Sequence, residues 1–312
     1  MGSSKSIPEI AKDKNRKNFK ILNNGIKCPI IGLGTALIKS EKDVDVVYQS
    51  IIDGVRLIDT ERSNEEFVGK GIEKALNDEK INIKREDLFI VTKLELDEKE
   101  DPEKALRQSL NRLKLGYVDL YLDHWPSCIC INDPKKYRLI PVKETWEKME
   151  TLVDLGLTKS IGVSNYNVEN MFNILSNYRI KPVVNEVEFN PYLYQKDLKE
   201  FCDKEKIVLF AYNPLAKGQY VDREDAFKRN LDLFREGIIN HLRNKYPNYS
   251  KGQIILSWHI SLDVVPLPGT SRPDRMKENL ESTKISINKD FIEIIGSNED
   301  KQFRFNDGSK IF

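Results

Sequence analysis

The chain is poor in the residues that build metal centres and cross-linked frameworks. Only three histidines, His124, His241 and His259, are present in 312 residues, which argues against the His-rich metal sites of barrel hydrolases. Four cysteines, Cys28, Cys128, Cys130 and Cys202, show no pairing or zinc pattern beyond one C-x-C. A chain of this size needs no disulfide stapling, so a reduced, intracellular setting follows. No apolar run approaches the roughly 18 residues of a spanning helix, and the start lacks the apolar core of a secretory signal. Neither sign of charge is in excess, with 50 basic against 49 acidic residues. With no arginine-rich or glycine-aromatic segment either, nucleic acid is not an expected partner. The phosphate fingerprint G-x-G-x-x-G is also missing after every apolar run, and the Gly69-Lys70-Gly71 segment lies inside a helical pattern.

What is present is a long alternation of short apolar runs and helical stripes. Residues 1–18 are almost free of apolar periodicity and read as a flexible basic tail. Gly2 with Ser6 fits the M-G-x-x-x-[ST] signal for N-myristoylation. Lys5, Lys12, Lys14, Arg16, Lys17 and Lys20 would supply the electrostatic contact that a single acyl chain requires. A start with no such function is the alternative, so the expected location is cytoplasmic, with peripheral membrane contact if Gly2 is acylated. Phe19 to Leu22 and the turn Asn23-Asn24-Gly25 predict a hairpin closing one end of the domain.

Eight apolar runs follow, ending at Gly34-Thr35, Asp59, Lys93, His124, Ser164-Asn165, Glu186, Tyr212 and Gly269-Thr270. Helical patterns follow these runs, as in Val44, Val47, Tyr48, Ile51 and Ile52, or Leu106, Leu110 and Leu113 behind Asp101-Pro102. Long polar segments follow the fourth and seventh. Eight strands with intervening helices predict a parallel sheet, and the count favours a closed (β/α)8 barrel over a doubly wound open sheet. The barrel spans 19–312.

In such a barrel the active site forms where the strands end. Asp59 and Lys93 on adjacent strands would pair, and His124 one strand further could orient or protonate an oxygen. Tyr212 offers a flat face to a heterocycle, with Ser164 and Asn165 as amide partners. Arg275, Glu278 and Asn279 lie early in the last helix, where a nucleotide's far end could be held. No nucleophile with a paired base is visible, which favours proton or hydride transfer over acyl transfer. A metal-dependent hydrolase is a third, weaker reading.

GLGT at Gly32 to Thr35, IDT at Ile58 to Thr60, NEE at Asn64 to Glu66 and VTKL at Val91 to Leu94 resemble the aldo-keto reductases. So do YLDHWP at Tyr121 to Pro126, IGVSNY at Ile161 to Tyr166, NEVEFNPYL from Asn185, AYNPL at Ala211 to Leu215 and RPDRMKENL from Arg272. The resemblance implies a (β/α)8 barrel that binds NADP(H) across its mouth and moves a hydride between nicotinamide and an aldehyde or ketone. It implies that Asp59 and Lys93 are the family's ion pair, that His124 orients the carbonyl, and that Trp125 lines the substrate pocket. For the cofactor it implies Thr35, Ser164, Asn165, Glu186, Tyr212, Asn213 and Leu215 around the nicotinamide half. At the adenosine end it implies Thr270, Ser271, Arg275, Glu278 and Asn279.

One element of the pattern is missing. The family's proton-donating tyrosine should stand five residues after Asp59, but Thr60-Glu61-Arg62-Ser63-Asn64 is two residues short. Arg62 or Ser63 falls in its place, and neither is a ready acid. Glu186 replaces an expected glutamine, Ala36 a pocket tryptophan, and Gly269 a lysine near the 2′-phosphate. Two functions follow as expectations: a reductase with an atypical proton donor, or a catalytically impaired NADP(H)-binding scaffold.

Overall fold

The structure is a computed structural model describing residues 10–13, 15–126, 140–176, 178–216, 232–296 and 303–305. The chain opens on β1 (Ile10–Lys12), β2 (Phe19–Ile21), β3 (Lys27–Pro29) and β4 (Leu33–Gly34). Then come α1 (Val44–Ile52), β5 (Leu57–Asp59), α2 (Glu65–Leu76), β6 (Phe89–Leu94), α3 (Pro102–Leu113) and β7 (Leu120–Asp123). The middle of the chain holds α4 (Val142–Asp154), β8 (Ile161–Ser164), α5 (Val168–Leu175), β9 (Val184–Glu188), α6 (Lys196–Lys204) and β10 (Val208–Tyr212). It closes with α7 (Gly237–Lys245), α8 (Lys251–Ser261), β11 (Val265–Leu267), α9 (Pro273–Leu280), β12 (Ile285–Ile287) and α10 (Lys289–Gly296).

Strands β4 to β11 form one parallel sheet in sequential order. A parallel bridge between Gly34 and Gly269, with Gly32 N–H donating to Pro266 O at 3.1 Å, joins the first strand to the last. This is the expected (β/α)8 barrel. Gly34 is needed at the seam, because a Cβ there would lie 2.7 Å from Leu267 O.

Strand alternation decides what faces inward. Leu57, Phe89, Val91, Leu120, Leu122, Val184, Phe210, Val265 and Leu267 fill the interior, and Leu22 and Cys28 from the β2–β3 hairpin pack onto the same cluster. The hairpin therefore plugs the end opposite the strand C-termini, as predicted. Counting two residues on from each interior side chain brings Asp59, Lys93, His124, Glu186 and Tyr212 to the inward face of the mouth. The helices take the other parity: Ile58, Ile90, Tyr121 and Val163 join the outer core. Two helices carry side-chain caps, with Asp101 accepting from Lys104 N–H and Asn167 from Asn170 N–H.

The flexible tail needs correction. Ile10–Lys12 pair antiparallel with β12, and Ile10 is buried. Arg16 donates to Ile285 O at 2.6 Å and Lys20 pairs with Asp263 at 2.5 Å, so neither is a free membrane contact. Strand β12 and helix α10 were not anticipated either. Gly2 to Ser6, and most of the long segments expected after the fourth and seventh barrel strands (127–139 and 217–231), lie outside the described residues. Among the described residues no helix is long and apolar enough to cross a membrane.

Candidate active site

Asp59 closes β5 and Lys93 lies near the end of β6, the neighbouring strand, so their side chains meet inside the mouth. The Lys93 ammonium is bonded to Asp59 Oδ1, donates to Thr60 O at 3.2 Å and lies 3.3 Å from Glu186 Oε1. All three side chains are buried. Burial opposes the Lys93 charge, but Asp59 and Glu186 outweigh it and hold the ammonium well above the ordinary lysine range. Two acids around one ammonium, away from water, are most stable with one proton between them. Glu186 carries it: burial and the Asp59 charge push its carboxyl up to about 8, against the pull of Lys93.

This proton has a signed effect on stability. Glu186 ionises at 4.5 when unfolded but at about 8 in the fold, so the native state binds the extra proton and stability falls as pH rises through that window. In Glu186→Gln that contribution is absent. Urea midpoints at pH 5 and pH 8 will therefore lie closer together in Glu186→Gln than in the unsubstituted protein.

His124 follows β7, two residues past the interior Leu122. Its Nδ1 lies 3.0 Å from both carboxylate oxygens of Glu95. Burial works against the Glu95 charge, but the hydrogen bond and charge of His124, with Arg62 and Lys93, outweigh it and keep Glu95 below the usual carboxylate range. Glu61, Glu95 and His124 bring ligand atoms within 4.8 Å of one another, the one such group among the described residues. The trio could hold a divalent cation, although Lys93 and Arg62 set positive charge beside it.

The shortened turn is anchored by Asn64, whose amide donates to Thr35 O at 3.0 Å and whose Oδ1 accepts from Thr60 Oγ1 and Glu61 N–H. Thr35 in turn donates to Asp59 O at 2.6 Å. Neither residue at the tyrosine position is aimed at the mouth as an acid. Arg62 turns to Asp97 at 2.9 Å and Glu98 at 3.1 Å, and Ser63 donates to Glu61 at 2.7 Å.

The expected cofactor residues are arranged as a network. Ser164 Oγ donates to Glu186 O at 2.9 Å, Asn165 Nδ2 to His124 O at 3.0 Å, and the Tyr212 hydroxyl to Asn165 Oδ1 at 2.8 Å. Asn165 and Asn213 hold left-handed backbone, at φ 63° and 51°. The Asn213 amide donates to Glu188 at 2.9 Å, and Leu215 packs against the outer core. At the far end Thr270 accepts from Arg272 N–H at 3.0 Å, and Asn279 is buried while Ser271 and Glu278 are exposed. Arg272 is paired with Asp274 at 2.5 Å. Trp125 is half-buried, its ring 6.0 Å from that of His124.

Several residues of the site went unread in the sequence. Glu61 and Glu95 stand two places beyond Asp59 and Lys93, so the same two-residue alternation would have found them. A buried support also lies beneath His124: Lys99 sits 2.6 Å from Asp123 Oδ1, and Asp123 Oδ2 accepts from Tyr166 at 2.7 Å. His259, by contrast, is buried between the carbonyls of Ile255 and Phe189, away from the mouth.

Fold and site together define a (β/α)8 enzyme-type barrel with a buried acid–ammonium pair and a histidine at its C-terminal mouth. The Aldo/keto reductase family profile matches residues 31–299. Aldose reductase C of Dictyostelium discoideum is 35% identical over 302 residues, covering 91% of this chain and 89% of that protein. Aldo-keto reductase family 1 member A1 of Gallus gallus is 37% identical over 293 residues, covering 90% and 88%. The crystal structure of a Bombyx mori aldo-keto reductase in complex with NADP superposes with a TM-score of 0.86 at 32% identity, covering 95% of this chain and 96% of that one. The chain belongs to the aldo/keto reductase family.

Proposed function

We propose that the protein is an NADP(H)-dependent carbonyl reductase in which the acid step has been rebuilt without the family's tyrosine. The observation that carries this reading is the buried Asp59–Lys93 pair at the barrel mouth with His124 beside it. Lys93 sets a fixed positive charge where a carbonyl oxygen gains charge, and Asp59 keeps that charge in place. A dry, preorganised group of this kind stabilises the transition state without reorganisation.

The mouth also fits a nicotinamide cofactor, which would supply the hydride. Glu186 Oε2 is buried with no hydrogen-bond partner among the described residues. As the carbonyl oxygen of a protonated acid it would accept from a carboxamide N–H, the role expected of a glutamine. Ser164 and Asn165 flank it, Tyr212 presents its ring, and Arg275 and Asn279 would receive the adenosine end. Small carbonyl compounds are the substrate class, with Trp125 on the pocket wall.

The test is an NADPH fluorescence titration followed by turnover of 4-nitrobenzaldehyde on the same sample. Saturable binding and NADPH oxidation faster than in Lys93→Met are expected; turnover no faster than in that variant would overturn the reading. The second reading, a binding scaffold without turnover, is favoured by the engagement of both Arg62 and Ser63 away from the mouth. Binding without turnover would establish it.

A further inference from the structure

We propose that Glu186 makes this barrel distinguish the two redox forms of its cofactor by a proton. It meets the reduced nicotinamide as a neutral acid and the oxidised nicotinamide as a carboxylate, so uptake of NADP⁺ releases a proton that uptake of NADPH retains. The inference rests on the cofactor reading above.

The charges buried at the mouth do not balance by themselves. Two carboxylates, Asp59 and Glu186, face the single ammonium of Lys93, and none of the three residues is more than 8% exposed. Lys93 is bonded to Asp59 Oδ1 and lies 3.3 Å from Glu186 Oε1. One positive charge is missing, in a place where water does not screen the shortfall. A proton on the acid pair supplies it while no cation is bound, and a nicotinamide ring that has given up its hydride carries the same charge. Proton and oxidised ring therefore compete. With the glutamine that the family pattern calls for, Asp59 and Lys93 would already balance and there would be nothing to compete for.

Glu186 is placed for this role. Val184 and Phe210 are interior, so strand alternation turns Glu186 and Tyr212 into the mouth. The Glu186 carbonyl accepts from Ser164 Oγ and from Asn165 N–H, both at 2.9 Å, which fixes the strand end. Its Oε2 is buried with no hydrogen-bond partner among the described residues. The residue expected to meet the nicotinamide thus keeps an unfilled acceptor.

The groups around Glu186 come from four strands. They are Asp59 on β5, Lys93 on β6, Tyr212 on β10 and Ser164 on β8, the last of which does not titrate. Glu61 and His124 act on Asp59 from further out. Lys93 stays charged, and burial with the Glu188 charge raises the Tyr212 phenol so that it stays neutral. Burial and Asp59 push Glu186 up to about 8 against the pull of Lys93. A cation brought against such an acid lowers its pKa by about one to three units, which carries proton release into the neutral range.

Isothermal titration calorimetry at pH 7, repeated in phosphate and in Tris buffer, counts the protons released as each cofactor binds. The 2′-phosphate titrates near pH 6 in both cofactors and cancels in the difference. NADP⁺ is expected to release about 0.5 to 1 proton more than NADPH. By linkage, the ratio of the Kd for NADP⁺ to the Kd for NADPH should then fall about three- to tenfold from pH 6.5 to 7.5. In Glu186→Gln both effects should vanish while both cofactors bind. Infrared difference spectra of the unsubstituted protein should show a carboxylic acid C=O band lost on adding NADP⁺ and kept on adding NADPH, a readout that needs no variant. Equal proton counts, an unchanged C=O band, or a difference that survives in Glu186→Gln overturns this inference alone. Failure of the unsubstituted protein to bind either cofactor overturns the cofactor reading and the inference with it.

Discussion

Replacing Lys99 by methionine is expected to lower the unfolding free energy by about 3–5 kcal/mol, the cost typical of removing one partner of a buried ion pair. Lys99 and Asp123 are each 1% exposed, with 2.6 Å between the ammonium and Oδ1 and 2.9 Å to Oδ2. Methionine fills a similar volume but leaves the Asp123 carboxylate with Tyr166 as its remaining donor among the described residues, in a place water does not reach. Urea unfolding at neutral pH measures the loss. The companion Lys99→Met with Asp123→Asn removes the stranded charge and should recover part of it. A loss below about 1 kcal/mol would mean that solvent reaches Asp123 and that the pair is worth no more than a surface bridge. The consequence reaches the site, because Lys99 also donates to Trp125 O. The pair fixes the chain on both sides of His124.

The second large effect concerns the shortened turn. Inserting Ala-Tyr between Arg62 and Ser63 places a tyrosine five residues after Asp59, where the family pattern calls for it. In a protein with no acid at the carbonyl oxygen such an insertion would raise aldehyde turnover by about 10² to 10⁴, the usual worth of a positioned general acid. In the otherwise unsubstituted protein the gain is expected to stay below about tenfold, because the acid is already supplied and a second donor lowers the same barrier only once. Single-turnover oxidation of NADPH measures the gain. A gain of two or more orders in the unsubstituted protein would show that the site lacks an acid, and would sink the reading of a rebuilt acid step.

Much of the fold was legible because it rests on local periodicity. Eight apolar runs at strand length, separated by stripes at helical spacing, have few packings that bury both faces of every strand, and the barrel is one. The caps at Asp101 and Asn167 and the turn at Asn23-Asn24-Gly25 were readable for the same reason: each is a short-range hydrogen-bonding preference written into adjacent residues. The pairing of β1 with β12 was not readable. Ile10 is deeply buried, and the strand that Ile10–Lys12 pairs with lies more than 270 residues away in sequence. No local pattern encodes a contact at that separation.

The strand-end residues Asp59, Lys93, His124, Ser164, Glu186 and Tyr212 were determined by the sequence alone. Once eight strands are granted, a period of two fixes which side chains enter the mouth, and the missing tyrosine is a matter of counting. Tertiary structure decided what that absence does. It turned Arg62 outward to Asp97 and Glu98, set Glu61 and Glu95 about His124, enclosed Glu186 with Asp59 around a single ammonium, and placed Lys99 and Asp123 beneath the histidine. Each of these depends on the path of a loop or on burial contributed by several strands at once. Charges so placed act through distance and the exclusion of water, and neither quantity is a property of a residue or of its neighbours in the chain.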